Sequence, residues 1–251
     1  MKTRLDQILV ERGLADSREK ARALILAGSV AVDGQKSDKP GHAFPEDCRV
    51  EVAERLPYVS RGGFKLAGAL DHFAIDVRGR VCLDVGASTG GFTDCLLQRG
   101  AARVYAIDVG RGQLDWKLRN DPRVIVREGV NARYLQSGDF PEIFDLAVCD
   151  ASFISATLLI PAIAPLLSER GEMIILVKPQ FEVGRDQVGK GGIVRDPELH
   201  RAACDRVQKA VEALGGIASI GGIASMWTVA IIESPILGAE GNREFLLYAR
   251  H

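Results

Sequence analysis

A cluster of acidic and glycine residues between two predicted strands carries the first indication of chemistry. Asp84 stands near the end of the apolar run Val81–Val85, and Asp108 follows a second apolar run, Val104–Ile107. The turn between them contains Gly86, Gly90 and Gly91. Glycines let the backbone bend sharply and approach a ligand closely. A carboxylate at the carboxyl end of a strand suits a ribose diol, so the pattern predicts a nucleoside-cofactor pocket.

Both NAD and S-adenosylmethionine contain such a ribose, and the glycine spacing helps to separate them. The dinucleotide fingerprint G-x-G-x-x-G makes room for a pyrophosphate at a helix N-terminus. This chain departs from it, because Gly86 is followed only later by Gly90 and Gly91. The Asp84 carboxylate would repel a pyrophosphate but would attract the ammonium of a methionine moiety. We favour S-adenosylmethionine over NAD, and a turn that binds no ligand is the other alternative.

Two further polar residues stand where predicted strands end. Asp150 follows Phe144–Cys149, and Lys178 follows Met173–Val177. Ligands of open α/β sheets bind at the carboxyl ends of the strands, so both side chains are expected at the cofactor edge.

The sequence around Asp150 argues against two classes of methyl acceptor. Enzymes that methylate amino groups use a [D/N]-P-P-[Y/F] turn, whereas this chain has Asp150-Ala151-Ser152-Phe153. Enzymes that methylate carbon five of a pyrimidine need a nucleophilic thiol, usually in a Pro-Cys pair. Cys149 follows a valine and is interpreted as a buried strand residue. An alcohol acceptor, such as a ribose 2′-hydroxyl, therefore remains.

An alcohol is a weak acid, so its attack on a sulfonium methyl is helped by a base or a cation beside the developing alkoxide. A lysine acts as a base only where burial or a second cation favours its neutral form. Lys178 with Lys65 nearby would meet this condition, and Asp150 would fix their geometry, although Lys65 alone is also compatible with a surface lysine. Glu244 is the better candidate for a second carboxylate, and Glu233 is interpreted as a surface residue.

Alternating strands and helices must position these groups. The remaining predictions are a strand over Val124–Val126, helices over Phe92–Arg99, Ser155–Leu167 and Glu198–Leu214, and late strands over Trp227–Ile232 and Glu244–Tyr248. This order predicts an α/β fold with a Rossmann-like, doubly wound sheet. The polar segment Gln180–Asp196 is long enough to be a functional lid.

Polar residues after the third strand stand where an adenine would lie. The predicted cofactor contacts are Asp84, Gly86, Ala87, Ser88, Thr89, Gly90, Gly91, Asp108, Val109, Glu128, Gly129, Val130, Asn131 and Asp150.

Residues 1–55 form a separate pattern, which predicts a small α+β domain of two helices and short strands, followed by a linker over 56–60 and a second domain over 61–251. Residues 1–40 hold eight Lys or Arg and six Asp or Glu, a weak net charge of +2. The segment from Arg4 to Gly34 resembles the small RNA-binding module named after ribosomal protein S4. The resemblance implies contact with RNA backbone, for which cations supply affinity. The predicted RNA contacts are Arg4, Arg18, Lys20, Arg22 and Lys36.

The length, net charge and composition of the chain limit the class of protein. The 251 residues carry a formal net charge of -1 and 26% charged residues, as ordinary globular proteins do. The five cysteines and four histidines are scattered, which predicts reduced thiols and no metal site. No signal peptide and no apolar run of spanning length are found, so we expect a cytoplasmic protein without membrane insertion.

Motifs in the order of the chain together resemble the TlyA or hemolysin A family, which joins an RNA-binding module to an FtsJ-like ribosomal RNA methyltransferase domain. They are Ser60-Arg61-Gly62-Gly63-Phe64-Lys65-Leu66, Asp84-Val85-Gly86-Ala87-Ser88-Thr89-Gly90-Gly91-Phe92-Thr93-Asp94, Asp150-Ala151-Ser152-Phe153-Ile154-Ser155, Val177-Lys178-Pro179-Gln180-Phe181-Glu182 and Gly241-Asn242-x-Glu244.

This resemblance implies a catalytic tetrad at Lys65, Asp150, Lys178 and Glu244 and a cytidine 2′-hydroxyl of ribosomal RNA, within ribosomal subunits, as the acceptor. The chain departs from the family between about residues 217 and 235, where strand-like sequence replaces a shorter connection. Two alternatives of other classes stay open: an RNA-binding assembly factor that has lost catalysis, and a membrane-active hemolysin, for which the sequence offers no amphipathic or spanning segment.

Overall fold

The computed structural model describes residues 2–26, 28–52, 57–216, 227–238 and 241–250. The chain divides into two compact units, Met1–Pro57 and Tyr58–His251. The linker expected over residues 56–60 falls partly outside the described residues.

The first unit is a small α+β domain. Its elements are β1 (Lys2–Arg4), α1 (Leu5–Glu11), α2 (Arg18–Leu26), β2 (Val30–Val32), β3 (Gln35–Lys36), β4 (Ala43–Pro45) and β5 (Val50–Val52). Strand β2 pairs with β3 and β5, whereas β1 pairs with β4 in a two-stranded sheet that the sequence did not predict. Asp33 and Gly34 have φ of 51° and 77°, as the tight two-residue turn between β2 and β3 requires. Leu5, Leu9 and Ile25 are fully buried in its core.

The second unit is built on one large sheet. Its strands are β6 (Val81–Val85), β7 (Arg103–Asp108), β8 (Val124–Glu128), β9 (Phe144–Cys149), β10 (Leu167–Val177), β11 (Thr228–Glu233) and β12 (Phe245–Arg250). Its helices are α3 (Gly62–His72), α4 (Gly91–Gln98), α5 (Trp116–Arg119), α6 (Ile160–Ile163), α7 (Pro179–Glu182) and α8 (Pro197–Glu212).

The seven strands follow the order β11-β12-β10-β9-β6-β7-β8. Strands β6 to β10 are parallel, and β12 is antiparallel to both of its neighbours. The chain moves outward in one direction from β6 to β8 and in the other from β9, so the topological switch point lies between β6 and β9. This arrangement confirms the predicted α/β, Rossmann-like fold and places the ligand edge at the ends of these two strands.

Alternating side chains of the central strands supply the two halves of the core. Leu83 and Val85 belong to one hydrophobic cluster, and Cys82 belongs to the other. This is the period of two that puts successive side chains on opposite faces of a sheet. The sheet is therefore covered on both faces, as the continuous apolar run of β6 predicted.

One predicted helix is corrected. The helix predicted over Ser155–Leu167 is three short pieces, Ala156–Leu158, Ile160–Ile163 and Ala164–Leu166, and Leu167 already belongs to β10. Pro161 and Pro165 interrupt the segment, because proline has no N–H to donate inside a helix. The predicted lid Gln180–Asp196 overlaps α7 and contains a short 3₁₀ turn over Arg185–Gln187, and whether it acts as a lid stays a prediction.

Residues 217–226, within the departure from the family noted above, lie outside the described residues. Strand β11 follows them at the edge of the sheet. Within the described part of the chain, every helix is too short or too polar to cross a bilayer.

Candidate active site

The turn after β6 is shaped by close packing. Gly86 has φ of 81°, and a Cβ there would lie 2.9 Å from backbone atoms of Ala151. The amides of Gly86 and Ala87 both donate to the carbonyl of Ile107, at 2.9 and 3.1 Å. Glycine at position 86 thus lets the ends of β6, β7 and β9 approach one another.

Asp108 ties this turn to the next one. Its carboxylate accepts hydrogen bonds from the amides of Ser88 and Gly110, each at 2.7 Å. Ser88 has φ of 48°, a conformation that L side chains rarely adopt, so this hydrogen bond helps to hold a strained turn. Carboxylate oxygens have further lone pairs, so Asp108 can still accept from a ribose hydroxyl.

A cavity of about 580 Å³ opens beside Asp108. Val109, Val130 and Asn131 line it together with Asp108, as a pocket for an adenosine would require. Its remaining wall is largely apolar, which suits a nucleobase.

A second cavity, of about 290 Å³, lies on the other side of the glycine turn. Its lining includes Lys65, Asp150 and Lys178. The residues that line both cavities are Gly86, Ser88, Asp150 and Ser152. The structure therefore places three of the four predicted catalytic residues around one space, next to the predicted cofactor pocket.

Lys178 is held at the junction of the two cavities. Its ammonium donates to Ser152 Oγ at 2.9 Å and to the Asp150 carbonyl at 3.4 Å. It also lies 2.6 Å from Asp150 Oδ1, in an ion pair.

Lys65 forms an ion pair with Glu244, the fourth predicted catalytic residue. Its ammonium lies 2.5 Å from Glu244 Oε2. Lys65 is 8% exposed and Glu244 3% exposed. Gly238 leaves room for the Glu244 carboxylate as it is placed here, since a Cβ at residue 238 would lie 2.2 Å from Glu244 Oε1. Glu233, the other candidate, is half exposed and lies 3.6 Å from Arg243.

Asp84 lies under the glycine turn, not in either cavity. Its side chain is fully buried; Oδ2 accepts from Thr93 Oγ1 at 2.5 Å, and no described residue hydrogen-bonds Oδ1. Burial raises its pKa to about 7, with smaller contributions from Asp150 and Asp108 and an opposing one from the Thr93 hydroxyl. The sequence predicted that Asp84 contacts the ligand directly. This prediction is corrected, because the buried side chain exposes no atom for such a contact.

Gly90, Glu128 and Gly129, three other predicted cofactor contacts, do not line either cavity. Glu128 is instead paired with Arg119 at 2.6 Å, and the Arg119 guanidinium holds the pKa of that carboxyl below its usual range. A Cβ at Gly90 would overlap the side chain of Leu118, so packing explains that glycine. Ala87, Thr89 and Gly91 line the smaller cavity.

Several lining residues were not predicted. Ser152 hydrogen-bonds Lys178, Gln113 accepts from the Ser88 hydroxyl at 3.2 Å, and Phe153 stands at the edge of the larger cavity. Phe153 is 91% exposed and has φ of 65°, which is strained for a bulky residue. The motif Asp150-Ala151-Ser152-Phe153 contained the signal for two of them, but nothing in the sequence singled out Gln113.

Cys149 is 3% exposed, and burial raises the pKa of its thiol to about 12. It is a buried strand residue, as the sequence indicated, and not an activated nucleophile. No group of three His, Cys, Asp or Glu residues that could hold a metal is found among the described residues.

The predicted RNA contacts of the first unit fall into two groups. Arg4 and Arg18 both contact the fully buried Asp6 carboxylate, at 2.9 and 3.1 Å, and Arg4 holds the pKa of Asp6 at about 2. Lys20 is paired with Asp16 at 2.5 Å. Arg22 and Lys36 are exposed and have no ion-pair partner among the described residues.

The FtsJ-like methyltransferase family matches residues 58–251, and the S4 domain matches residues 3–46. The chain is 47% identical over 253 residues to the 16S/23S rRNA (cytidine-2′-O)-methyltransferase TlyA of Mycobacterium tuberculosis, with 99% of this chain and 90% of that protein covered.

It is also 43% identical over 246 residues to hemolysin A of Brachyspira hyodysenteriae, with 98% of both chains covered. A solved structure from Streptococcus thermophilus, assigned to the hemolysins, has a TM-score of 0.73 and 41% identity and covers 99% of this chain and 88% of its own.

Proposed function

Because the chain belongs to the FtsJ-like methyltransferase family and carries an S4 domain, we propose that it transfers a methyl group from S-adenosylmethionine to the 2′-hydroxyl of a cytidine in ribosomal RNA. The Mycobacterium tuberculosis relative is named for this reaction on 16S and 23S ribosomal RNA. The observation that carries the proposal is the smaller cavity, where two buried lysines and Asp150 face one space beside a nucleoside-sized pocket.

The two cavities fit the cofactor. The larger one offers Asp108 to a ribose diol and an apolar wall to the adenine. Asp150 lines both cavities, and its carboxylate suits the positively charged methionine end. When bound, S-adenosylmethionine supplies an electrophilic methyl group on a sulfonium sulfur.

Lys178 is the residue we assign to the acceptor oxygen. A 2′-hydroxyl that attacks the methyl carbon gives up its proton and develops negative charge on oxygen. An ammonium beside that oxygen stabilises the charge, and a neutral amine would accept the proton. Ser152 and Asp150 fix the Lys178 ammonium at the junction of the cavities, so either role begins from a defined position.

Lys65 adds a second cation to the wall of the same cavity. Lys65 is paired with Glu244 and Lys178 with Asp150, and the two cations would attract the RNA backbone. Glu244 lies behind Lys65, outside the cavity lining, and we assign it the role of a positioning residue. The first unit would add affinity for RNA through Arg4, Arg18, Lys20, Arg22 and Lys36.

The test is transfer of a tritiated methyl group to ribosomal subunits that lack the modification. We compare the wild type with Lys178→Ala and with the matched control Lys209→Ala, whose side chain is exposed on α8. The expected result is label in a 2′-O-methylated cytidine for the wild type and the control only. Binding of S-adenosylmethionine by all three proteins shows that each is folded.

Other outcomes decide between the alternatives. Label on a base would contradict the assignment of the acceptor. Cofactor binding without label on either subunit would support an assembly factor that has lost catalysis. Lysis of pure lipid vesicles by the purified protein, without methyl transfer, would support a membrane-active protein.

A further inference from the structure

One buried amide connects the predicted lid with the residue that holds Lys65. Asn242 is 3% exposed and lies two positions before Glu244. Its Oδ1 accepts from the amide of Val194 at 3.1 Å, and its Nδ2 donates to the carbonyl of Gly192 at 3.0 Å. Its own carbonyl accepts from the amide of Gly238 at 2.8 Å. The Asn242 side chain thus pairs with both a backbone N–H and a backbone carbonyl of a loop that lies 48 to 50 positions earlier in the chain.

The loop that contains Val194 is held by a further hydrogen bond at the same residue. Val194 is 2% exposed, and its carbonyl is hydrogen-bonded to His200 Nε2 at 2.8 Å. Gly191 and Gly192 have φ of 77° and 74°, so the preceding turn uses conformations that favour glycine. The loop therefore reaches Asn242 in a specific conformation, with both polar groups of Val194 used.

The segment that carries Asn242 also forms part of the catalytic cavity. Leu237 and Gly238 line that cavity. Gly238 leaves the space that the Glu244 carboxylate occupies, and the Glu244 carbonyl accepts from the Ser234 amide at 2.9 Å. A change at Asn242 therefore acts on the backbone that sets both the cavity wall and the Lys65 partner.

We propose that Asn242 is a positioning residue, which docks the Gly189–Val194 loop onto the Glu244 segment and thereby fixes Lys65 for methyl transfer. The role of Asn242 in methyl transfer rests on the proposed function. Its effect on the position of Lys65 can be measured without catalysis. The amide side chain carries a donor and an acceptor side by side, which an ionised carboxylate does not. An aspartate of the same shape would keep the bond to Val194 but place an oxygen against the Gly192 carbonyl.

The experiment uses the full chain with Asn242→Asp and the matched control Asn120→Asp, an exposed residue at the end of α5. The first readout is the rate at which Lys65 reacts with acetic anhydride, followed by peptide mass spectrometry. We expect faster labelling of Lys65 in Asn242→Asp and wild-type labelling in Asn120→Asp. Unchanged Lys65 reactivity in a folded Asn242→Asp protein would overturn the proposal, whether or not the protein proves to be a methyltransferase.

The second readout is single-turnover methyl transfer in a double-mutant cycle with Lys65→Ala. Small displacements in an active site cost up to about 100-fold in rate, so we expect Asn242→Asp to lose about 10- to 100-fold. If Asn242 acts through Lys65, the same change in the Lys65→Ala background costs less than about twofold. Losses that multiply would show a separate structural role and overturn the proposal. A wild type that transfers no methyl group would contradict the proposed function, and Lys65 labelling would still decide on Asn242.

Discussion

Glu244 places a carboxylate oxygen 2.5 Å from the ammonium of Lys65, although 179 positions separate the two residues in the chain. Both side chains are nearly fully buried. When one partner of a buried pair is removed, the other charge is left without compensation, and this costs about 3–5 kcal/mol. Removal of one partner therefore affects stability as well as the arrangement of the cavity, and experiments can separate the two effects.

Replacing Glu244 by Gln is expected to lower the free energy of unfolding by about 3–5 kcal/mol, because the Lys65 ammonium stays buried without its counter-charge. Urea denaturation measures this change. The double variant Lys65→Met with Glu244→Gln should recover most of the lost stability, since neither of the two positions then carries an unpaired charge, but it should not recover methyl transfer. Full activity in the double variant would show that Lys65 takes no part in the reaction.

The elements of the fold differ in how well the sequence predicted them. Val81–Val85 and Phe144–Cys149 are apolar runs bounded by polar or glycine residues, and the strands coincide with them. The two-stranded sheet of the first unit was missed because Lys2–Arg4 is a short polar segment with no periodicity. Its strand pairing depends on tertiary contacts, which a local pattern does not contain.

The residues of the site also divide into those that a local pattern predicts and those that depend on tertiary contacts. Asp150 and Lys178 could be placed because they end neighbouring parallel strands. The partner of Lys65 could be chosen from the family motif but not from local pattern, since a contact over so many positions depends on the whole fold. Asp84 shows the opposite case. Its position in the sequence suggested a ligand contact, whereas the structure turns its carboxylate inward to Thr93.

The buried Asp84 predicts a pH dependence of stability. Its pKa is raised from the ordinary 3.8 to about 7, chiefly by burial, so the folded protein binds a proton more tightly than the unfolded chain. This contribution to stability is fully present below about pH 4 and is lost as the pH rises through 7, with a slope of at most about 1.4 kcal/mol per pH unit.

Asp84→Asn keeps a neutral side chain of the same shape and should lose this slope. Urea unfolding of both proteins at pH 5, 6, 7 and 8 gives the difference, with the exposed Asp205→Asn as a control for a change in net charge. Parallel pH profiles for the wild type and Asp84→Asn would contradict a raised pKa of Asp84.

The cations of the first unit predict how RNA affinity depends on salt. Arg22 has no ion-pair partner among the described residues, whereas Arg78 in the second unit is paired with Asp76 at 2.7 Å. Each cation that contacts a phosphate releases a counterion, which contributes about 0.7 to 0.9 to the slope of log affinity against log salt. Arg22→Ala should reduce the measured slope by about that amount, and Arg78→Ala should leave it unchanged. An unchanged slope for Arg22→Ala would remove Arg22 from the RNA contacts.

Phe153 is an exposed aromatic residue in a strained conformation at the edge of the cofactor cavity. Its ring lies 5.4 Å from that of Phe181, and no other ring contact involves it among the described residues. Strain of this kind costs about 1–3 kcal/mol and persists where a side chain is needed in that position. We expect the ring to stack on a base of the RNA beside the reacting ribose.

Phe153→Gly should keep or slightly raise the free energy of unfolding, because glycine adopts a positive φ without strain. Base stacking on an aromatic ring is worth about 1–3 kcal/mol, so the variant should lose about 5- to 150-fold in kcat/KM for RNA. Phe153→Tyr, which retains the aromatic face, should keep most of the activity. The affinity for S-adenosylmethionine is measured in parallel, because a loss confined to cofactor binding would assign the ring to the cofactor and not to the RNA.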